Sequence, residues 1–133
     1  MHEQTKQRGM KKQIVRFIFV GGAAFGVHFS IVSIIVPLGA HPLAANVAGF
    51  LLAFGVSYLG HRHWTFPSAS SARHAALMRF FFVAVSGFAL NEALYWFLLT
   101  ATVLDYRTAL VIVLAAVAVV TFTVSKLWAF RDA

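Results

Sequence analysis

The chain has 133 residues, 60% of them hydrophobic and only 11% charged, where soluble domains hold about 45–50% and about 25%. A body this small cannot hide so much apolar surface from water, so lipid is the expected solvent, and the same hydrophobicity excludes intrinsic disorder. The absence of cysteine excludes disulfides, thiolate catalysis and Cys-ligated metal, and the net charge of +7 has to be read from where the charges sit.

In chain order, residues 1–13 read as a basic cytoplasmic tail carrying Lys6, Arg8, Lys11 and Lys12. Residues 14–66 read as a first helical hairpin, with spans over about 17–37 and 43–62. Neither 17–40 nor 42–60 contains Asp, Glu, Lys or Arg, and Pro37, Gly39 and Pro42 mark the break between them. A polar cytoplasmic connection follows over 67–76, with Pro67, Ser68, Ser70 and Ser71. The second hairpin, 77–131, has spans over about 79–101 and 107–127, joined by ATVLDYR. Segment 108–125 is free of charge, and Glu92 is the one charged residue within 80–104. A helix needs about 20 apolar residues to cross roughly 30 Å of hydrocarbon, which each run supplies. The strands of a membrane barrel would alternate in polarity, and LVIVLAAVAVV does not. The first run also exceeds the roughly 7–15 residues of a cleaved signal segment, so it is expected to be retained.

Ten of the eleven Lys and Arg fall on one side of this layout, with Arg107 alone opposite. The positive-inside rule then places both termini in the cytoplasm. An internal repeat runs through the hairpins. RFIFVGGAAFGVH (16–28) aligns with RFFFVAVSGFALN (79–91) at an offset of 63, and HRHWTF (61–66) with SKLWAF (125–130) at 64. Arg16 and Arg79, Phe19 and Phe82, Trp64 and Trp128, and Phe66 and Phe130 coincide. Because each unit holds two spans, the copies have parallel topology about an axis along the membrane normal. The expected fold is an all-α membrane protein with four transmembrane helices in two such hairpin repeats. Gly21, Gly22 and Gly26, and Ser86 with Gly87, read as close helix-packing positions.

RFIFVG, the Ala44-Ala45-Asn46 and Gly49-Phe50 of span two, HRHWTF, RFFFVAVSG with ALN, and SKLWAF together resemble the GtrA-like family over about residues 14–131. The resemblance implies a small multi-pass inner-membrane protein, not an enzyme, that moves polyprenyl-phosphate-linked sugars from the cytoplasmic to the outer leaflet. A membrane glycosyltransferase is a candidate partner. The family pattern has Asn before the basic residue that closes each hairpin, where this chain has His61 and Ser125, and an acid in place of His28.

Moving a phosphate and a sugar through hydrocarbon costs several kcal/mol for each unsatisfied polar group, so polar side chains along the spans are the candidates. Glu92 lies 13 residues past Arg79, roughly 20 Å along a helix. Asn91 is beside it, the repeat puts His28 at the depth of Asn91, and Asn46 lies in span two. These four make an intramembrane polar site for sugar hydroxyls or a proton; the plainer reading is a structural hydrogen-bonded pair with Glu92. At the cytoplasmic edge, Arg16, Arg62, Arg79, Lys126 and His61 read as a receptor for the phosphate headgroup, since guanidinium forks match phosphate oxygens. Snorkelling and topology are the competing explanation for each cation. Trp64 and Trp128 read first as interface anchors and second as sugar-stacking rings.

No cofactor is expected, and no zinc either, because His61 and His63 point about 200° apart on a helix and no third ligand is near. Nucleic acid is not an expected partner, because the charges track membrane edges and no recognition motif is present. Anionic lipids and a second copy of the chain are expected partners, since four helices enclose little volume. Two other readings stay open: a non-transporting adaptor that docks the glycosyltransferase, and a small multidrug-type exporter.

Overall fold

The computed structural model describes residues 1–67 and 71–129. Phe130 and Arg131, and Ser68 and Ser70 of the connection, lie outside the described residues. Helix α1 spans His2–Ile35, α2 Pro42–Gly60, α3 Ser71–Ala101 and α4 Tyr106–Val124. All four are long and apolar enough to cross a membrane, and the described residues contain no strand. Helix is the form that satisfies every backbone N–H and C=O inside its own segment, which hydrocarbon demands.

α1, at 34 residues, measures about 50 Å at 1.5 Å per residue. Its first turns therefore extend well beyond the hydrocarbon, and the basic segment 1–13 is helix continuous with the span. α3 likewise begins at Ser71, inside the segment read as a polar connection. The hairpin tips are set by local chemistry. Gly39 takes φ +112°, a left-handed conformation that favours glycine, while the amide of Ala40 donates back to the Ile35 carbonyl at 3.1 Å. His41 caps α2 by accepting from the Leu43 amide at 3.1 Å, ahead of Pro42 in the first turn. Asp105 caps α4 by accepting from the Arg107 amide at 3.2 Å.

At the opposite, basic end each hairpin closes in the same unusual way. α2 runs into a π-helical turn, π1, over His61–Thr65, and α4 into a second, π2, over Ser125–Ala129. The widened i→i+5 pattern appears in the bond from the Phe66 amide to the His61 carbonyl, 2.8 Å. The two turns are 64 residues apart, the offset of the sequence repeat.

Packing is most extensive within each hairpin, and α1 also meets α4 while α2 meets α3, so the four helices form a ring of neighbours. Buried positions follow the repeat: Val32 and Tyr95, His28 and Asn91, Ala45 and Ala109, His61 and Ser125, and Thr65 and Ala129 are all buried. The outer surface is apolar, with Ile18, Phe19, Leu51, Phe97, Val119 and Phe122 all exposed. That inversion suits a lipid solvent.

The glycines correct one expectation. A Cβ on Gly21, Gly22 or Gly26 would meet nothing within 4 Å, and all three face outward. Close approach occurs instead at Gly49, where a Cβ would lie 2.7 Å from the His28 ring, and at Gly60, 2.8 Å from Val20. Gly87 does face α4, in ordinary contact with Thr121.

Candidate functional site

The four polar residues predicted within the spans meet. The His28 Nε2 lies 2.7 Å from the Asn46 Oδ1, and the Asn46 Nδ2 donates to the Asn91 Oδ1 at 2.7 Å and to the Glu92 Oε1 at 3.1 Å. The carboxylate oxygen can only accept, which fixes the Asn46 amide with its NH2 toward α3. Its carbonyl then faces His28, so the imidazole donates from Nε2. α1, α2 and α3 are thus joined through one side chain, and Asn46 has no exposed surface. Gly49, one turn along from Asn46, leaves the space in which the His28 ring lies against α2. Glu92 is half-buried, unlike Asn46 and Asn91, so the layer keeps one ionisable group at the bundle surface.

Apolar and aromatic layers flank this polar one. On the tip side, Val32, Ala45, Tyr95, Ala109, Leu110 and Val113 form a plug in which none is more than 1% exposed. Tyr95 donates to the Tyr106 carbonyl at 3.0 Å, and Arg107 reaches the Ser33 hydroxyl and carbonyl at 3.4 Å, tying α4 to α1. On the basic side, Phe50 stacks on Phe88 at 4.4 Å and Phe54 meets Phe81 edge-on at 5.0 Å.

The expected headgroup receptor is arranged differently. Arg16 Nη1 donates to the Trp64 carbonyl at 3.1 Å, and Arg79 Nε donates to the Ala129 carbonyl at 3.0 Å. Each repeat-matched arginine therefore satisfies a carbonyl in or at the end of its own hairpin's π turn. Arg79 Nη2 is buried without a hydrogen-bond partner among the described residues, as is Ser125 Oγ in π2. Arg62 turns to the Tyr58 hydroxyl at 2.7 Å, and Lys126 is exposed. Among the described residues, no contact joins these four cations at one point.

His61 is a clear departure from expectation. It is 1% exposed, stacked on Phe17 at 4.5 Å and flanked by Phe66, Phe80 and Phe81, with Nδ1 against the Thr65 hydroxyl at 3.1 Å. Core packing rather than a headgroup surface holds this ring. Its position extends the i, i+4 row of Ala45, Gly49, Ala53 and Ser57, a signal of the buried face that could have placed it there. Trp64 and Trp128 repeat each other, edge-on to Phe19 at 5.5 Å and to Phe82 at 6.2 Å. The Arg16 guanidinium lies 5.3 Å over the Trp64 ring. Sequence reasoning missed that Gly9, Lys12 and Arg73 gather with Arg16 around a cavity. The helical spacing of Gly9, Lys12 and Arg16 was available, but the position of Arg73 was not.

A ring of four spanning helices, built from two like hairpins and bridged by a buried polar layer, defines a small multi-pass membrane protein. The profile of the GtrA/DPMS transmembrane domain matches residues 16–130, and the chain belongs to that family, one linked to the handling of lipid-linked sugars. No curated protein matches it.

Proposed function

We propose that the chain carries a polyprenyl-phosphate-linked sugar from the cytoplasmic to the outer leaflet of the inner membrane, with both termini in the cytoplasm. The observation that carries this reading is the His28–Asn46–Asn91–Glu92 layer, at a depth where a polar group with no task would be a liability. A sugar entering the membrane loses its hydration, and a side chain that can exchange partners replaces part of it. Glu92 supplies a half-buried acceptor for hydroxyls, and Asn46 can trade its two acceptors for a ligand oxygen without leaving a donor bare. The phosphate meets the basic edge first and then crosses with the sugar, while the prenyl chain remains in lipid.

The apolar plug closes a single copy on its tip side, so the working unit is a homo-oligomer in which neighbouring copies widen the path. Transport here is binding and release, and no catalytic step is assigned. In proteoliposomes, the protein is expected to speed movement of a polyprenyl-phosphate sugar over empty vesicles, and Glu92→Gln to slow it. No acceleration, together with co-purification of a membrane glycosyltransferase, would replace the carrier by an adaptor. Glu92-dependent resistance to cationic dyes would replace it by an exporter.

A further inference from the structure

One cavity at the basic end belongs to neither the polar layer nor the repeat. Gly9, Lys12, Gln13 and Arg16 line one side of a space of about 290 Å3, facing Phe66 and Arg73. An adjoining space of about 530 Å3 shares Gly9, Gln13 and Arg73 and adds Lys6 and Met10. Both are near the range of about 300–1,000 Å3 in which small-molecule sites fall. Gly9, Lys12, Gln13 and Arg16 share a helix face because they are spaced by three and four residues.

Four cations, Lys6, Lys12, Arg16 and Arg73, border the cleft, and none of its described lining residues is acidic. An orientation signal needs charge on one side of the membrane, but it does not need the charge gathered around a cavity. The second repeat makes the contrast. Sixty-three residues on, Gly9, Lys12 and Gln13 are replaced by Ala72, Ala75 and Ala76, although Arg16 is matched by Arg79. Lys12 on α1 therefore has no charged counterpart on α3, which instead lends Arg73 to the same cleft. Arg16 is already held by the Trp64 carbonyl and ring, so little freedom is lost when its remaining N–H groups meet an anion. Arg73 lies 5.9 Å over the Phe66 ring. Phe66 and Met10 give the cleft apolar walls that a free ion would not need, and the exposed apolar face of α1, with Ile18 and Phe19, begins just beyond Arg16.

We propose that this cleft seats the phosphate of a membrane lipid at the basic edge of the bundle, with the hydrocarbon chain lying along α1 in the adjacent leaflet. The inference deepens the carrier reading by naming where the phosphate docks first, and it rests on that reading only for which lipid is carried. Docking is measurable without any transbilayer movement.

The test uses the purified full chain in detergent, with phosphatidic acid as probe and native mass spectrometry to count bound lipid. Lys12→Ala with Arg73→Ala is expected to weaken binding by about tenfold or more, as one or two charge-assisted bonds are lost. Gly9→Phe fills the cleft without changing charge, has open space for its side chain, and is expected to do the same. Arg8→Ala with Lys11→Ala removes equal charge from exposed positions of the same edge that do not line the cleft and is expected to change binding less than about twofold. Equal loss in that control, or unchanged binding in both cleft variants, overturns the proposal. Displacement of the lipid by an equal concentration of inorganic phosphate overturns its lipid assignment in favour of a soluble anion. If lipid binds in the cleft while proteoliposomes show no transport, the carrier reading fails and the cleft stands; transport that survives Gly9→Phe has the opposite meaning.

Discussion

The two hairpins share a backbone device and differ in what they place at the centre. Each ends in a π turn whose carbonyl is taken by the arginine that opens the same hairpin, Arg16 in one and Arg79 in the other. Each sets its closing tryptophan against a phenylalanine on its first helix. Toward the hairpin tips the likeness ends. The first hairpin has Asn46 and Gly49 where the second has Leu110 and Val113, and all four positions are buried. The first hairpin therefore closes tightly around a hydrogen-bonded centre, while the second offers an apolar wall and presents Asn91 and Glu92 across the interface. Duplication supplied the frame, and the polar layer depends on the places where the copies have diverged.

Making the first hairpin resemble the second should do the most damage at Gly49. A Cβ there meets the His28 ring at 2.7 Å and the His28 backbone carbonyl at 3.0 Å, and backbone cannot swing away. Gly49→Val is expected to cost about 2–3 kcal/mol or more, read as a loss of folded protein in detergent unfolding. Gly60→Ala should cost less, because its clash is with the Val20 side chain alone. A larger loss at Gly60 than at Gly49 would mean that His28 does not set the spacing of α1 and α2.

Asn46→Leu installs the second hairpin's residue at the hub of the network. His28, Asn91 and Glu92 would each lose a partner, at about 1–3 kcal/mol for a buried group left unsatisfied. Transport should fall with stability in this variant. Glu92→Gln keeps an acceptor for Asn46, so it should preserve most of the stability while still slowing transport. If both activities stay at the wild-type level, the layer is structural only.

Next in size is the arginine latch. Removing Arg79 exposes the Ala129 carbonyl to loss of one hydrogen bond, about 0.5–1.5 kcal/mol. Arg16→Ala should cost a similar amount and should also weaken the Trp64 contact. Amide exchange of residues in π1 and π2 separates the two: each substitution should loosen its own turn and leave the other protected.

Much of this arrangement was legible in the sequence. Long uncharged runs, bounded by Pro37, Gly39, Pro42 and Asp105, define the spans because lipid leaves the chain few alternatives. The offset of 63 placed His28 level with Asn91, and the structure brings both to Asn46. The basic end was harder to read. Nothing in the composition of HRHWT or SKLWA signals a π turn, since widening by one residue costs no particular side chain. Without that turn, the partners of Arg16 and Arg79 could not be named. Arg73 reaches the cleft through the tertiary fold, so no local spacing reveals it.

The outward glycines are the case where a pattern was present and misread. Small residues say that a helix permits close approach, but only the angle around the helix says toward what. Gly26 precedes His28 by two residues, about 200° around α1, so it faces away from the side that His28 buries against α2. Gly26→Ala should therefore be neutral or stabilising by up to about 1 kcal/mol, as removing glycine from a helix interior is. The same substitution at Gly49 should destabilise, and the opposite signs, measured in one unfolding series, test which glycines the fold needs. Destabilisation at Gly26 in the isolated chain would place a neighbouring helix on a face where the structure has open space.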